Sequence, residues 1–208
     1  VDRFKKIKSN INNDNVNIIA VSKTFNYEHI KPLVDYGHTH FGENKVQEAD
    51  IKWSSIKKEN PNLKLHMIGK LQSNKAKKTV ELFDYLHSLD SEKLAIALSK
   101  NEKNLSKRLS YFIQVNVGNE KQKSGISANL VDDFYTYCKV SLNLNVIGLM
   151  AIPPVDGQED IHFQYLYQAN ASLGLKHLSM GMSGDYLKAV DNSSTFIRIG
   201  SSIFGNRF

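Results

Sequence analysis

The chain has 208 residues, enough for one domain with a sizeable core. Hydrophobic residues make up 41% and charged residues 23%, an ordinary globular balance, and no apolar run is long enough to span a bilayer. Lysine and arginine outnumber aspartate and glutamate by 27 to 21, a net charge of +6, but the lysines are scattered among asparagines, so the charge reads as a solvated surface and not as a nucleic-acid patch.

Residues 1–10 are polar and basic, without the apolar stretch of a secretory leader. Eight short runs rich in β-branched and apolar residues follow, at 17–22, 38–41, 64–68, 85–89, 110–115, 145–150, 177–179 and 195–199. Helical patterns separate them, among them 28–36, 43–58, 91–100, 130–139 and 163–172. Repeated strand–helix alternation predicts a parallel sheet and an α/β fold. Eight units in 208 residues, about 26 each, match the short end of a closed (β/α)₈ TIM barrel. The rival is an open doubly wound sheet, and its dinucleotide version is weakened because no Gly-x-Gly-x-x-Gly turn follows the first run. No Pro- or Ser-rich linker interrupts the chain, so residues 1–208 are expected to form a single domain. Cys138 is the lone cysteine; it excludes an intrachain disulfide, fits a reducing cytoplasm, and sits in an apolar helical stretch where a buried inert thiol is expected.

In a parallel barrel the working end is where the strands finish. The first run is followed by Lys23-Thr24, the second by Gly42-Glu43-Asn44, the third by Gly69-Lys70-Leu71-Gln72-Ser73-Asn74-Lys75. The fifth leads to Asn116 and Lys123-Ser124-Gly125, the sixth to Ala151-Ile152-Pro153-Pro154. The last two lead to Gly181-Met182-Ser183 and Gly200-Ser201-Ser202, which put small residues and hydroxyls where backbone N–H groups can approach an anion. Barrels bind phosphate at these two loops, so a phosphate site is expected there. Lys23 stands at the end of the first strand, where it should point either out to solvent or into the mouth, with those loops across from it. A lysine opposite a phosphate-bearing aldehyde is the arrangement for Schiff-base chemistry. Burial and a nearby cation favour the neutral amine that this requires, and Arg198, beside the first strand in a closed barrel, is the candidate cation. Other residues are weaker candidates. His38 and His40 share a strand face but lack a third metal ligand at suitable spacing. His66 and His87 read as histidines satisfied by hydrogen bonds, and Glu43 and Glu48 as helix-face and capping charges.

Six ordered motifs resemble the pyridoxal phosphate homeostasis (YggS/PROSC) family. They are Val21-Ser22-Lys23-Thr24, Phe41-Gly42-Glu43-Asn44-Lys45-Val46-Gln47-Glu48, His66-Met67-Ile68-Gly69-Lys70-Leu71-Gln72-Ser73-Asn74-Lys75, Gly148-Leu149-Met150-Ala151-Ile152-Pro153, Ser179-Met180-Gly181-Met182-Ser183 and Arg198-Ile199-Gly200-Ser201-Ser202-Ile203-Phe204-Gly205. The resemblance runs from Ile18 to Arg207. It implies a barrel similar to the N-terminal domain of alanine racemase, with pyridoxal 5′-phosphate held as a Schiff base on Lys23. It also implies phosphate contacts from Ser183, Gly200, Ser201 and Ser202, Arg198 near the pyridine nitrogen, and Asn44 lining the ring pocket. The chain departs from the family pattern at 191–195, where Asp191-Asn192-Ser193-Ser194-Thr195 replaces a glycine usually seen before the last strand.

The expected function is therefore non-enzymatic: holding pyridoxal phosphate, buffering it and supplying it within the cytoplasm. The alternative is a racemase-like enzyme, against which the sequence speaks because racemases of this fold add a β domain for which 208 residues leave no room. A Schiff-base aldolase fits the motifs less well. The expected partners are the cofactor and apo enzymes that use it, with neither nucleic acid, membrane nor metal, and a monomeric state.

Overall fold

The computed structural model describes residues 1–118, 120 and 124–205. Lys123 and Arg207 lie outside the described residues. Among the described residues nine strands form one sheet: β1 Asn17–Val21, β2 His40–Glu43, β3 Lys64–Met67, β4 Tyr85–Leu89, β5 Ser110–Asn116, β6 Ile126–Ser127, β7 Val146–Met150, β8 His177–Ser179 and β9 Phe196–Ile199. Their order is β4-β3-β2-β1-β9-β8-β7-β5-β6, and an additional β4–β5 pairing closes eight of them into a parallel barrel. The two-residue β6 pairs only with the end of β5, through Val115 and Asn116. The expected barrel is thus the observed one, with each of the eight runs overlapping one barrel strand.

The helices are α1 Asp2–Ile11, α2 Tyr27–Asp35, α3 Val46–Glu59, α4 Ala76–Leu82, α5 Glu92–Leu105, α6 Val131–Thr136, α7 Glu159–Ser172, α8 Tyr186–Asp191 and the single turn α9 Ser201–Phe204. Asn26 caps α2, its side-chain oxygen accepting from the His29 N–H. Past α6 the chain makes a π-helical turn, Tyr137–Ser141, which contains the fully buried Cys138. Burial pushes that thiol up to about 12, so it is inert at neutral pH, as expected.

Side chains alternate across the barrel wall, as strand geometry requires. Ile18, Ala20, Leu65, Met67, Leu86, Ile197 and Ile199 belong to the cluster between the strands and the helices, whereas Ile19, Phe112, Met150 and Phe196 form a second cluster inside the barrel. Burial of each of these isoleucine, leucine, methionine and phenylalanine side chains contributes about 1.5–3 kcal/mol.

One element had no counterpart in the sequence reading, and one reading needs correction. The polar and basic start of the chain forms α1, because Phe4, Ile7 and Ile11 recur at helical spacing and are buried. The second strand begins and ends two residues later than the run 38–41, at His40–Glu43. Glu43 is consequently not a helix-face or capping charge. It is fully buried at the end of β2 on the outer wall, beneath Trp53 of α3.

Candidate functional site

The strand ends and their loops enclose a cavity of about 530 Å³ at the C-terminal mouth. Lys23, Asn44, Ser183, Arg198, Gly200 and Ser201 all line it, so six of the seven expected site residues come together. Ser202, the second residue of α9, does not line it and is half-buried. Sequence reasoning missed the apolar part of the lining, which includes Val21, Phe25 and Ile68. The signal was present for Val21, which shares the inward face of β1 with Ile19.

Lys23 sits on a tightly held segment. The Ser22 hydroxyl donates to Glu43 Oε1 (2.7 Å), and the Ser22 carbonyl accepts from Lys52 Nζ (2.8 Å). On the other side, the Thr24 N–H donates to Glu48 Oε1 (2.5 Å). Thr24 takes a left-handed conformation (φ 69°), costly for a β-branched residue and tolerated because its surroundings dictate it. Lys52 ties the two carboxylates together, lying 2.9 Å from Glu43 and 3.1 Å from Glu48, and Trp53 Nε1–H donates to Glu43 as well. The backbone on both sides of Lys23 is therefore anchored to one ion network beneath α3. That network is the physical role of Glu43 and Glu48.

Arg198 points inward from β9, where Ile19 is its register partner on β1. It is 5% exposed. Nη1 donates to Ser179 Oγ (2.7 Å) and Nη2 to the Ala151 carbonyl (3.0 Å). Burial brings its pKa down to about 10, so it remains a cation at neutral pH. Two strands away, just past the end of β2, Asn44 Oδ1 is buried without a hydrogen-bond partner among the described residues. Gly69 lets the loop after β3 press against Asn44: a Cβ there would stand 2.4 Å from the Asn44 carbonyl oxygen.

The two small-residue loops meet at the rim. Ser201 Oγ lies 3.3 Å from Ser183 Oγ, and Gly200 precedes the first turn of α9, whose leading N–H groups have no intrahelical partners. Gly181, at φ 94°, starts the other loop, and its carbonyl accepts from the Arg198 N–H, which docks that loop onto β9. An amine, a buried guanidinium, two hydroxyls and a helix start thus converge. This donor set suits an anionic ligand with a phosphate at one end and an electrophile at the other.

The other sequence candidates go elsewhere. His38 Nε2 bonds the His40 carbonyl (2.9 Å) and His40 Nδ1 bonds His66 (2.9 Å), so these rings serve one another within the fold. His66 and His87 are fully buried and hydrogen-bonded, as expected. No helix among the described residues is long and apolar enough to cross a membrane.

Comparison with known proteins agrees with this geometry. The alanine racemase N-terminal domain family matches residues 2–207. A pyridoxal phosphate homeostasis protein from Pasteurella multocida is 40% identical over 202 residues, covering 92% of this chain and 87% of the relative. PipY of Synechococcus elongatus, solved with and without PLP, superimposes over 98% of this chain and 99% of its own, with TM-scores of 0.86 and 0.89 at 34% and 35% identity. Alanine racemase from Corynebacterium glutamicum, at 15% identity and a TM-score of 0.75, shares the fold over 97% of this chain and 58% of the racemase. The chain belongs to the alanine racemase N-terminal domain family and, within it, to the pyridoxal phosphate homeostasis proteins.

Proposed function

We propose that this chain holds pyridoxal 5′-phosphate in the C-terminal cavity, buffers it, and passes it to apo enzymes within the cytoplasm, acting as a monomeric carrier and not as a catalyst. The observation that carries the reading is the convergence of Lys23, Arg198, Ser183 and Ser201 on one cavity. The residues fit the group, since the buried Asn44 Oδ1, without a hydrogen-bond partner among the described residues, lines the same cavity as the Arg198 guanidinium and the Ser183 and Ser201 hydroxyls, a set suited to a ligand that is polar along one edge and anionic at one end. When bound, the ligand's aldehyde supplies the electrophile for a lysine amine. Lys23 is the covalent anchor. Ser183, Ser201 and the Gly200 turn take the phosphate. Arg198 places a cation against the ring, and a cation disfavours protonation of a ring nitrogen beside it. That makes the ring a weaker electron sink and suits retention over carbanion chemistry.

The test is an absorption spectrum of the purified protein with and without added pyridoxal phosphate, followed by borohydride reduction and peptide mass mapping. A visible band and a pyridoxyl adduct on the peptide bearing Lys23 are expected. Failure to develop a band after addition would refute the reading. Racemase assays on the loaded protein should give no turnover, and sustained racemisation would replace the carrier with an enzyme.

A further inference from the structure

Below the cavity the barrel interior holds a row of polar side chains that the proposed binding role does not use. His40, His66 and His87 point inward from β2, β3 and β4. Each step between neighbouring strands climbs two residues toward the C-terminal mouth, as the stagger of a closed barrel requires. His66 pairs in register with Gly42, two beyond His40, and His87 lies two beyond Tyr85, the register partner of His66. The rings connect end to end: His40 Nδ1 to His66 Nε2 at 2.9 Å, His66 Nδ1 to His87 Nε2 at 2.9 Å, and His87 Nδ1 to Ser179 Oγ at 2.7 Å. Ser179 Oγ in turn accepts from Arg198 Nη1. Stacking holds the ring planes, with Tyr85 on His66 (4.3 Å, 8°) and Phe112 on His87 (4.4 Å, 20°).

The donor inventory gives this row a direction. Arginine can only donate, so Arg198 uses a lone pair of Ser179 Oγ. Among the described residues the only acceptor for the Ser179 proton is His87 Nδ1. His87 then carries its proton on Nε2 and donates to His66 Nδ1. His66 likewise donates from Nε2 to His40 Nδ1. The reverse polarity would leave the Ser179 proton buried without an acceptor, at a cost of about 1–3 kcal/mol. A second proton on either inner ring would set two donors face to face.

We infer that His40, His66, His87 and Ser179 form one hydrogen-bond chain of fixed polarity that orients the Arg198 guanidinium toward the cavity, with Ser179 and His87 as its positioning residues. Burial holds both inner imidazoles well below the usual histidine range, and for His87 the Arg198 charge adds to it, so the chain stays neutral. Its outer end, His40, lines a separate cavity of about 510 Å³ at the N-terminal mouth.

The polarity is tested in the ligand-free protein, independently of the proposed function. Long-range proton–nitrogen correlation spectra of ¹⁵N-histidine-labelled protein at pH 7 should show His66 and His87 protonated at Nε2 alone. A proton on Nδ1 of either ring, or on both nitrogens, overturns the inference. The positioning role rests on the proposed function and is tested by titrating pyridoxal phosphate into Ser179→Ala. Losing the acceptor of a charged donor should weaken binding roughly tenfold to a hundredfold, and Ser179→Thr, which keeps the hydroxyl, should restore it. Wild-type affinity in Ser179→Ala overturns the positioning role. Should the alanine variant fail to fold, Ser179→Cys, with a weaker acceptor, carries the same comparison. Wild-type protein that takes up no pyridoxal phosphate would refute the proposed function and leave the tautomers to decide the chain.

Discussion

At the C-terminal mouth of the barrel, Lys23, Ser183, Arg198 and Ser201 stand around an open cavity of about 530 Å³. At the N-terminal mouth a cavity of about 510 Å³ lies against α1, lined by Phe4, Tyr36, His38 and His40 among others. The first collects positive donors and glycine-containing loops. The second collects aromatic and imidazole rings, with Phe4 packed 6.1 Å from Tyr36 and 4.6 Å from His38. The contrast follows from the architecture. Strand C-termini carry loops free to vary in chemistry, whereas the opposite face has to seal the core. Rigidity under the open mouth comes from outside and below: the Glu43–Lys52–Glu48 network behind β2, and the histidine row inside.

The comparison breaks most sharply at Lys23. Lys23→Ala should abolish the covalent pyridoxyl adduct entirely while shifting urea unfolding by less than ~0.5 kcal/mol, since the side chain lies at a cavity and not in the core. Retention of the adduct at another lysine would dissolve the distinction between the two mouths. The support beneath it is the next largest effect. Lys52→Met leaves the fully buried Glu43 carboxylate without its cation. It should destabilise the fold by about 3–5 kcal/mol in urea titrations, and adding Glu43→Gln should recover much of that loss.

The N-terminal mouth makes a pH prediction. Burial lowers the pKa of His38 to about 4, and it also lowers those of His40, His66 and His87. A histidine whose folded pKa lies below its unfolded value binds more protons when unfolded. Stability should therefore be full above pH ~6.5 and fall as the pH drops toward 4, where His38 itself titrates. Each kcal/mol lost lowers Tm by roughly 2–4 °C for a domain of this size. A Tm flat between pH 7 and 4.5 would mean that burial does not hold these histidines neutral.

The smallest expected effect lies at the N-terminal face of the barrel. Ser193 adopts φ 68° in the turn before β9, where the family pattern has a glycine nearby. Ser193→Gly should stabilise the fold by about 0.5–1 kcal/mol, and a loss of stability would show that the Ser193 side chain makes up for its backbone strain.

Much of this was legible beforehand. The eight runs overlap the eight barrel strands because alternating strand and helix patterns allow few other parallel folds. Lys23, Arg198, Ser183 and Ser201 could be placed at one mouth because the ends of parallel strands all face the same way. Less visible was anything that depends on register. Glu43 read as a helix charge because its burial depends on a two-residue shift of β2 and on Trp53 folding back over it. Ser202 sits next to Ser201, yet one step along a helical turn rotates a side chain by about 100° and takes it out of the cavity.

By itself, then, the sequence determined the barrel, the mouth that carries chemistry, and the amine and donors gathered there, because all of these follow from local pattern and strand direction. Only the tertiary structure decided that three histidines far apart in sequence meet end to end, that a serine on β8 links them to Arg198, and that a buried ion network anchors both sides of Lys23. Those contacts arise from the stagger of a closed barrel and from the packing of α3 on its outer wall. Neither leaves a periodic trace in the chain.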